Sequence, residues 1–385
     1  MKINVKKSNP GTSSRCLIWL VLFGLITFLT ASSVWANTPT PNDEVEKSGN
    51  SQQLNAPPMQ SDEFHYDPFR NGLNEDEFYV YIPMLFSQLE EIGPFLDLWN
   101  REMVDVYFTE NYLNAPQPAI GWDGNLNDCF AGTLTVEYQA AVLKRINFFR
   151  RMAGVPDQVN LRTAYNEKAQ AAALMMARNG KLNHTPPKDW LCYSELGYSG
   201  ASSSNLALGV YGWSAINLYI KDPGGNNGAV GHRRWVLYPQ TQQMGLGDIP
   251  PVSGYSPANS LVVFDDHMRD VRPETRDNFV AWPPSGYVPY QIVFPRWSFS
   301  YPTASFSNAY VTMTFNGSSV PLVTESISNG YGENTLVWLP YGLNSGDVWG
   351  KPGKDVRYTI TIQNVYIQAQ WQNFSYDVIV FDPAT

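Results

Sequence analysis

The chain has 385 residues, 43% of them hydrophobic, and its 26 Lys and Arg are outnumbered by 35 Asp and Glu, which gives a formal net charge of −9 at pH 7. An acidic protein repels the phosphate backbone of nucleic acids and anionic membrane surfaces. Because the basic residues form only short pairs such as Arg150-Arg151 and Arg233-Arg234, we expect no nucleic-acid partner.

Residues 1–36 have the pattern of a secretory signal peptide. Basic residues up to Arg15 precede an apolar run over residues 17–29, and Val34 and Ala36 stand at positions −3 and −1 of a cleavage site. The apolar run is shorter than the roughly 20 residues that cross a bilayer comfortably, which favours cleavage over a membrane anchor. We therefore predict a secreted, cell-surface or periplasmic protein with no membrane span after cleavage.

Cysteine usage agrees with an oxidising compartment. Cys16 lies inside the predicted signal peptide, which leaves Cys129 and Cys192. Two cysteines in an exported protein predict a disulfide bond between them. Neither belongs to a CxxC pair, so a metal or catalytic role for these thiols is disfavoured.

The segments before residue 131 differ in composition. Residues 37–61 are rich in Pro, Asn, Ser and Gln and predict a disordered linker. Residues 62–130 are predicted to be a helical N-terminal extension, because apolar residues between Asn74 and Phe108 recur at helical spacing.

Residues 131–250 carry three helix patterns. The first begins at a cap, Thr133 or Thr135, and ends at Met152 before Gly154. The others cover residues 162–179, rich in alanine, and residues 212–221. Residues 235–238 and 243–247 are predicted to be strands or approaches to strands.

The pattern changes to β after Pro250. Alternating β-branched and aromatic runs occur with turn residues between them, and Asn316-Gly317 is a strong hairpin signal. We predict an inter-domain connection at residues 251–284 and a β-sandwich, of Ig-like type, at residues 285–385. Most aromatic residues of this part are expected in its core, and one or two exposed rings would suit glycan binding.

Five motifs in the middle of the chain resemble, in content and order, those of the CAP superfamily (SCP/PR-1-like) in its bacterial form. They are found at residues 146–156 (INFFRRMAGVP), 169–184, 204–209 (SNLALG), 215–223 (AINLYIKDP) and 230–247. The resemblance implies an α/β/α sandwich around a small antiparallel sheet. The predicted fold class is therefore α+β, with this CAP-type sandwich followed by an all-β sandwich.

The same resemblance implies a cleft that holds two histidines and two acids. The histidines fall on His184 and His232, the second acid falls on Asp222, and Ser204 stands where the family often has Glu. Asn205, in the same motif as Ser204, completes the predicted cleft set.

Two interpretations of this cleft remain open. His184, His232 and Asp222 would suffice for a zinc ion with one open coordination position, and Glu195 is a speculative fourth ligand. The alternative is a hydrogen-bonded histidine pair that organises the cleft without a metal, which the missing acid at position 204 favours.

Enzyme templates match poorly. No histidine is followed by Glu as in HExxH, and residues 200–205 lack the closing glycine of a nucleophile elbow. Ser202, Ser203 and Ser204 could pair with His184, but loop serines are usually turn residues. The leading hypothesis is thus a module that binds a lipid, a cell-wall glycan or a protein partner. The alternatives are a metal-dependent or Ser–His hydrolase of extracellular peptides or esters, and an adaptor whose sandwich is the adhesive element.

Overall fold

The structure is a computed structural model that describes residues 95–384. The predicted signal peptide, the predicted linker and residues 62–94 of the extension lie outside the described residues. None of the helices within residues 95–384 is both long and apolar enough to cross a lipid bilayer.

The described part of the extension is helical only over residues 101–113. Helix α1, Arg101–Phe108, begins at Asn100, whose side chain accepts a hydrogen bond from the Met103 backbone N–H. It continues into a π-helical segment, Thr109–Leu113. Residues 114–135 contain no helix and run as an irregular segment up to the next cap.

Two long helices follow their sequence signals. Helix α2, Val136–Ala153, is capped by Thr135 and ends at Gly154 in the left-handed conformation. Helix α3, Thr163–Asn179, ends at Gly180 in the same way. Both predictions are confirmed. The cap at Thr135 and the glycines that end both helices are signals in the local sequence, so they do not depend on tertiary contacts.

Three shorter helices lie between the long helices and the end of the first sheet. They are α4, Glu195–Ser202; α5, Gly212–Lys221; and α6, Gly231–Val236. The prediction of α5 is confirmed. The prediction that residues 235–238 are a strand or an approach to a strand is wrong, because residues 235 and 236 end α6. The side chain of Asp222 accepts hydrogen bonds from the backbone N–H groups of His232 and Arg233, so a distant residue caps α6 and overrides the β propensity of its last residues.

The first sheet has four strands in the order β1-β3-β4-β2. They are β1, Asn160–Leu161; β2, Ser204–Leu208; β3, Gln243–Ile249; and β4, Ala258–Val262. Strand β4 pairs antiparallel with both β2 and β3, while β1 pairs parallel with β3. Strand β4 lies inside the predicted inter-domain connection; all five of its residues are buried, so it lacks the alternation that marks a half-buried strand.

Helix α3 packs closely on β3 because the facing residues are small. A Cβ atom on Gly247 would lie 2.2 Å from the backbone carbon of Ala169, and one on Gly245 would lie 2.3 Å from that of Tyr165. These two glycines therefore set the distance between helix and sheet.

The C-terminal part is a β-sandwich of a four-stranded sheet, β10-β11-β7-β5, and a five-stranded sheet, β6-β13-β12-β8-β9. The strands are β5, Val280–Trp282; β6, Gly286–Pro289; β7, Trp297–Tyr301; β8, Tyr310–Phe315; β9, Ser318–Val320; β10, Leu322–Thr324; β11, Asn334–Pro340; β12, Val356–Ile367; and β13, Gln370–Phe381. Asn316 and Gly317 both have positive φ and join β8 to β9, which confirms the predicted hairpin. The α+β class with an all-β C-terminal part is confirmed.

One hydrophobic core runs through both parts of the molecule. Phe149 of α2 packs edge-on against Trp282 of β5 with ring centroids 5.4 Å apart, and Trp297 and Trp338 are fully buried in the same core. Trp371 is 58% exposed, but its ring contacts Tyr366 on the paired strand with centroids 4.9 Å apart. The helix–sheet part, residues 95–262, and the β-sandwich, residues 280–381, therefore share their interior.

Candidate functional site

His184 and His232, which are 48 positions apart in the sequence, lie in the wall of one open cavity of about 370 Å³. We call this cavity the histidine pocket. The other residues that line it are Leu182, Asn183, Leu206, Ala207, Leu208, Leu218, Tyr219, Asp222, Pro223, Asn226 and Asn227. Its volume falls in the range of small-molecule binding sites, which is about 300–1,000 Å³.

His232 is held by a carboxylate and a ring. Its Nδ1 lies 2.7 Å from Oδ1 of Asp222, and its imidazole stacks on Tyr219 with centroids 5.4 Å apart. Because an ionised carboxylate only accepts hydrogen bonds, Nδ1 of His232 carries the proton. Nε2 is then the nitrogen left for a ligand.

His184 is also oriented by a hydrogen bond at Nδ1, but its partner is a backbone carbonyl rather than a carboxylate. Its Nδ1 lies 2.9 Å from the backbone oxygen of Ala201, near the end of α4. A carbonyl oxygen is also an acceptor, so the proton again resides on Nδ1. Both imidazoles of the histidine pocket are thus oriented through Nδ1, which leaves both Nε2 atoms for a ligand.

A buried polar network supports the Tyr219 side of the pocket. The Tyr219 hydroxyl donates to Oδ1 of Asn259 at 2.6 Å, and Nδ2 of Asn259 donates to Oδ1 of Asp248 at 2.7 Å. Asp248 also accepts hydrogen bonds from the Tyr138 hydroxyl and the Gly212 N–H. Burial raises the pKa of Asp248 to about 7. Sequence reasoning did not single out these residues, which no local motif marks.

The other two residues of the predicted cleft do not line the pocket. Ser204 is buried, and its hydroxyl donates to the Gly200 carbonyl at 2.7 Å. Nδ2 of Asn205 donates to the backbone oxygen of His232 at 3.0 Å. The structure thus brings His184, Asp222 and His232 together at the cavity, while Asn205 supports the backbone beneath one of them.

Comparison with known proteins identifies the part of the chain that contains this site. Residues 143–256 match the family model "CAP: Cysteine-rich secretory protein family". This chain contains a CAP domain. The matched segment includes all five residues of the predicted cleft, from His184 to His232.

Other comparisons add little. No curated protein sequence matches the chain at a significant level. One similar solved structure is PcoC, a methionine-rich copper resistance protein from Escherichia coli, with 11% identity, coverage of 26% of this chain and 92% of that chain, and a TM-score of 0.20.

The CAP domain does not assemble the predicted zinc ligands into a metal site. Among residues 95–384, no group of three or more His, Cys, Asp and Glu side chains could hold a metal ion. Both oxygens of Asp222 already accept hydrogen bonds from residues 232 and 233. Glu195, the speculative fourth ligand, instead pairs with Lys188 on the surface. Two imidazoles alone fall short of the three protein ligands of an open zinc site.

The serines proposed as nucleophiles are occupied by turn hydrogen bonds. The hydroxyls of Ser202 and Ser203 donate to the Ser199 carbonyl, at 3.1 and 2.8 Å, and Ser204 donates to Gly200. His184 directs its Nδ1 to Ala201, so the geometry provides no reason to prefer a Ser–His hydrolase.

The predicted disulfide between Cys129 and Cys192 is present. It links the irregular segment before α2 to the loop between α3 and α4, where Cys192 packs near Leu126 and Trp190. Disulfides persist in oxidising compartments, so this bond is consistent with an extracellular site of action.

Proposed function

We propose that this protein is an exported binding protein whose histidine pocket holds a small amphipathic ligand of the lipid class. The observation that carries the proposal is the composition of the pocket wall. One part is apolar and contains Leu182, Leu206, Leu208 and Leu218, while the two imidazoles lie in the same wall. A ligand with an apolar chain and a polar head would satisfy both parts.

The polar part favours a head group that carries a hydroxyl. With Nδ1 protonated, a neutral imidazole offers Nε2 as a hydrogen-bond acceptor. Either of these two acceptors would receive the proton of a hydroxyl group, and the amide side chains of Asn226 and Asn227 could accept or donate beside them. Asp222 is 1% exposed and committed to His232, so it adds little to contacts with a ligand.

The apolar part supplies the affinity. Each methylene group that leaves water for an apolar environment contributes about 0.8 kcal/mol. The wall also includes Ala207 and Pro223, so an alkyl chain would meet carbon atoms along much of its length. Export is supported by the signal pattern of residues 1–36 and by the disulfide.

Calorimetric titration with dodecanol, a neutral alcohol with a long alkyl chain, tests the proposal. We expect saturable binding that weakens about twofold to tenfold in at least one of His184→Ala and His232→Ala, since a single hydroxyl donates to one imidazole at a time and a hydrogen bond contributes about 0.5–1.5 kcal/mol. His267→Ala is the matched control, because that histidine contacts Asp265 and does not line the pocket.

Three results would contradict the proposal. They are no saturable binding of dodecanol, binding by both pocket variants that is as tight as that of the wild type, and a stronger response to the trisaccharide of N-acetylglucosamine. The last result would favour a glycan ligand over a lipid.

A further inference from the structure

Arg296 lies in the β-sandwich, immediately before β7, yet its guanidinium reaches the loop that holds the histidine pocket. Its Nη1 donates to the backbone oxygen of Asp222 at 2.6 Å, and its Nη2 donates to that of Gly224 at 2.8 Å. Nε donates to Oε1 of Glu325 at 2.8 Å, which fixes the orientation of the planar group. The side chain is only 4% exposed, so these contacts are shielded from water.

The loop that Arg296 holds has an unfavourable backbone conformation. Asp222 ends α5 with φ of 51°, a left-handed value that a side chain with Cβ adopts at some cost. Two carbonyl oxygens bound to one guanidinium, at residues 222 and 224, stabilise this turn. The conformation matters because it determines where the Asp222 carboxylate points.

The Asp222 carboxylate is the group that orients His232. Oδ1 lies 2.7 Å from Nδ1 of His232, and Oδ2 accepts the His232 backbone N–H at 3.0 Å. Arg296 thus contacts the backbone of Asp222, and the side chain of Asp222 contacts the imidazole of His232, each at hydrogen-bond distance.

Other sandwich residues fix the same region. The Gly224 N–H donates to the Ser345 hydroxyl at 3.0 Å, and Nζ of Lys221 donates to the Gly346 carbonyl at 2.6 Å. Nη1 of Arg233, next to His232, donates to the Ser298 hydroxyl at 2.9 Å. Lys221 and Gly224, which flank Asp222, are thus bound to residues of the β-sandwich.

We infer that Arg296 is a positioning residue of the histidine pocket, so that the β-sandwich determines the orientation and tautomer of His232. The hydrogen bonds among Arg296, Asp222 and His232 join residues of this chain and involve no ligand. The consequence for binding rests on the proposed function, because it assumes that Nε2 of His232 meets the ligand.

The test observes the imidazoles directly, by nitrogen-15 NMR of the histidine side chains in the full protein at pH 8. The wild type should show both His184 and His232 with the proton on Nδ1. In Arg296→Gln the His232 signal should change to a mixture of tautomers, while the His184 signal should stay as in the wild type. A general loss of structure would alter both signals, so His184 is an internal control.

Two further variants make the test decisive. Arg357→Gln removes an exposed sandwich arginine that pairs with Asp377, and it should leave both histidine signals unchanged. Ser345→Ala removes only the contact to the Gly224 N–H and should produce a smaller change at His232. If Arg296→Gln does not fold, Ser345→Ala carries the test alone.

Dodecanol titration separates the two proposals. A wild type that binds dodecanol, and an Arg296→Gln variant that binds it about threefold to tenfold more weakly, would support both. A changed His232 tautomer in a protein that never binds dodecanol would retain the positioning role and reject the proposed ligand. Unchanged His232 signals in folded Arg296→Gln, or in Ser345→Ala if the former does not fold, would overturn the positioning role.

Discussion

Asp248 is a fully buried carboxylic acid in β3, at the centre of the network that supports the pocket. Three donors satisfy it: the Tyr138 hydroxyl, the Gly212 N–H and the Asn259 amide. These hydrogen bonds favour the ionised form, but loss of hydration outweighs them and raises the pKa to about 7. The side chain therefore exchanges its proton near neutral pH within the network that supports the pocket.

The pH dependence of stability follows from this shift. The pKa of an aspartate in the unfolded chain is about 3.9, whereas the pKa of folded Asp248 is raised to about 7. Between these values the folded protein keeps a proton that the unfolded chain has lost. The contribution of protonated Asp248 to the free energy of unfolding is therefore fully present below about pH 4. It disappears as pH rises through about 7.

The variant Asp248→Asn should remove this dependence. Asparagine can accept from Gly212 and Asn259 with its oxygen and donate to the Tyr138 hydroxyl with its amide. Relative to this variant, the wild type should lose up to about 1.4 kcal/mol of unfolding free energy per pH unit across the window. Urea unfolding at pH 4.5, 5.5, 6.5 and 7.5 measures the difference, and parallel pH profiles would contradict the shifted pKa.

At the residue scale, the sequence predicted His184, His232 and Asp222 as neighbours because the motif order resembles a family pattern. It did not predict Asp248, Asn259 or Arg296. Those side chains reach the pocket through contacts between elements that are far apart in the chain, and single residues outside a motif carry no sign of such contacts.

Among the elements, the contact between α3 and β3 depends on the absence of side chains in the strand. Gly247→Ala would place Cβ within 2.3 Å of two backbone atoms of Ala169. Backbone cannot rotate away as a side chain can, so we expect a loss of about 3 kcal/mol of unfolding free energy. Gly350→Ala, with no atom within 4 Å of its Cβ position, is the control for urea unfolding. Equal midpoints for the two variants would contradict the close packing.

The disulfide is the second stabilising link between elements. It joins residues 63 positions apart and restricts the unfolded chain, an effect of about 2–4 kcal/mol. The double variant with serine at positions 129 and 192 should therefore unfold at lower urea concentration than the wild type. A midpoint that does not change on this substitution would show that other contacts hold residues 114–135 in place.

The elements that the sequence predicted correctly have local signals. Thr135 and Gly154 delimit α2, and Asn316-Gly317 marks a hairpin, because each acts on its immediate neighbours. Strand β4 was missed because all of its residues are buried, including Asn259 and Ser260, so its sequence shows no alternation of polar and apolar residues. Its identity as a strand depends on its pairing with neighbouring strands, which the local sequence does not show. Helix α6 was missed because its cap comes from Asp222, ten residues away.

At the scale of the whole molecule, the helix–sheet part and the β-sandwich depend on each other. They share one core around Phe149 and Trp282, and buried arginines cross between them. Arg234 donates to the carbonyls of Ser328 and Glu333, and burial lowers its pKa to about 10, which leaves it charged at neutral pH. A sandwich that acts as an independent adhesive module is therefore disfavoured.

We expect the two parts to unfold in one cooperative transition. In native-state hydrogen exchange, the most protected amides of α2 and of β12 should share the same free energy of opening and the same dependence on urea. Strand amides that stay protected after those of α2 have exchanged would show that the sandwich folds separately, and would contradict the shared core.

The central claim is that a ligand binds between His184 and His232, and the chain contains only two further histidines, His65 and His267. Histidine NMR spectra recorded during a dodecanol titration of the protein test this claim most directly. We expect the signals of His184 and His232 to move together and saturate, while that of His267 stays in place. Saturable binding that leaves both pocket signals unmoved would contradict it.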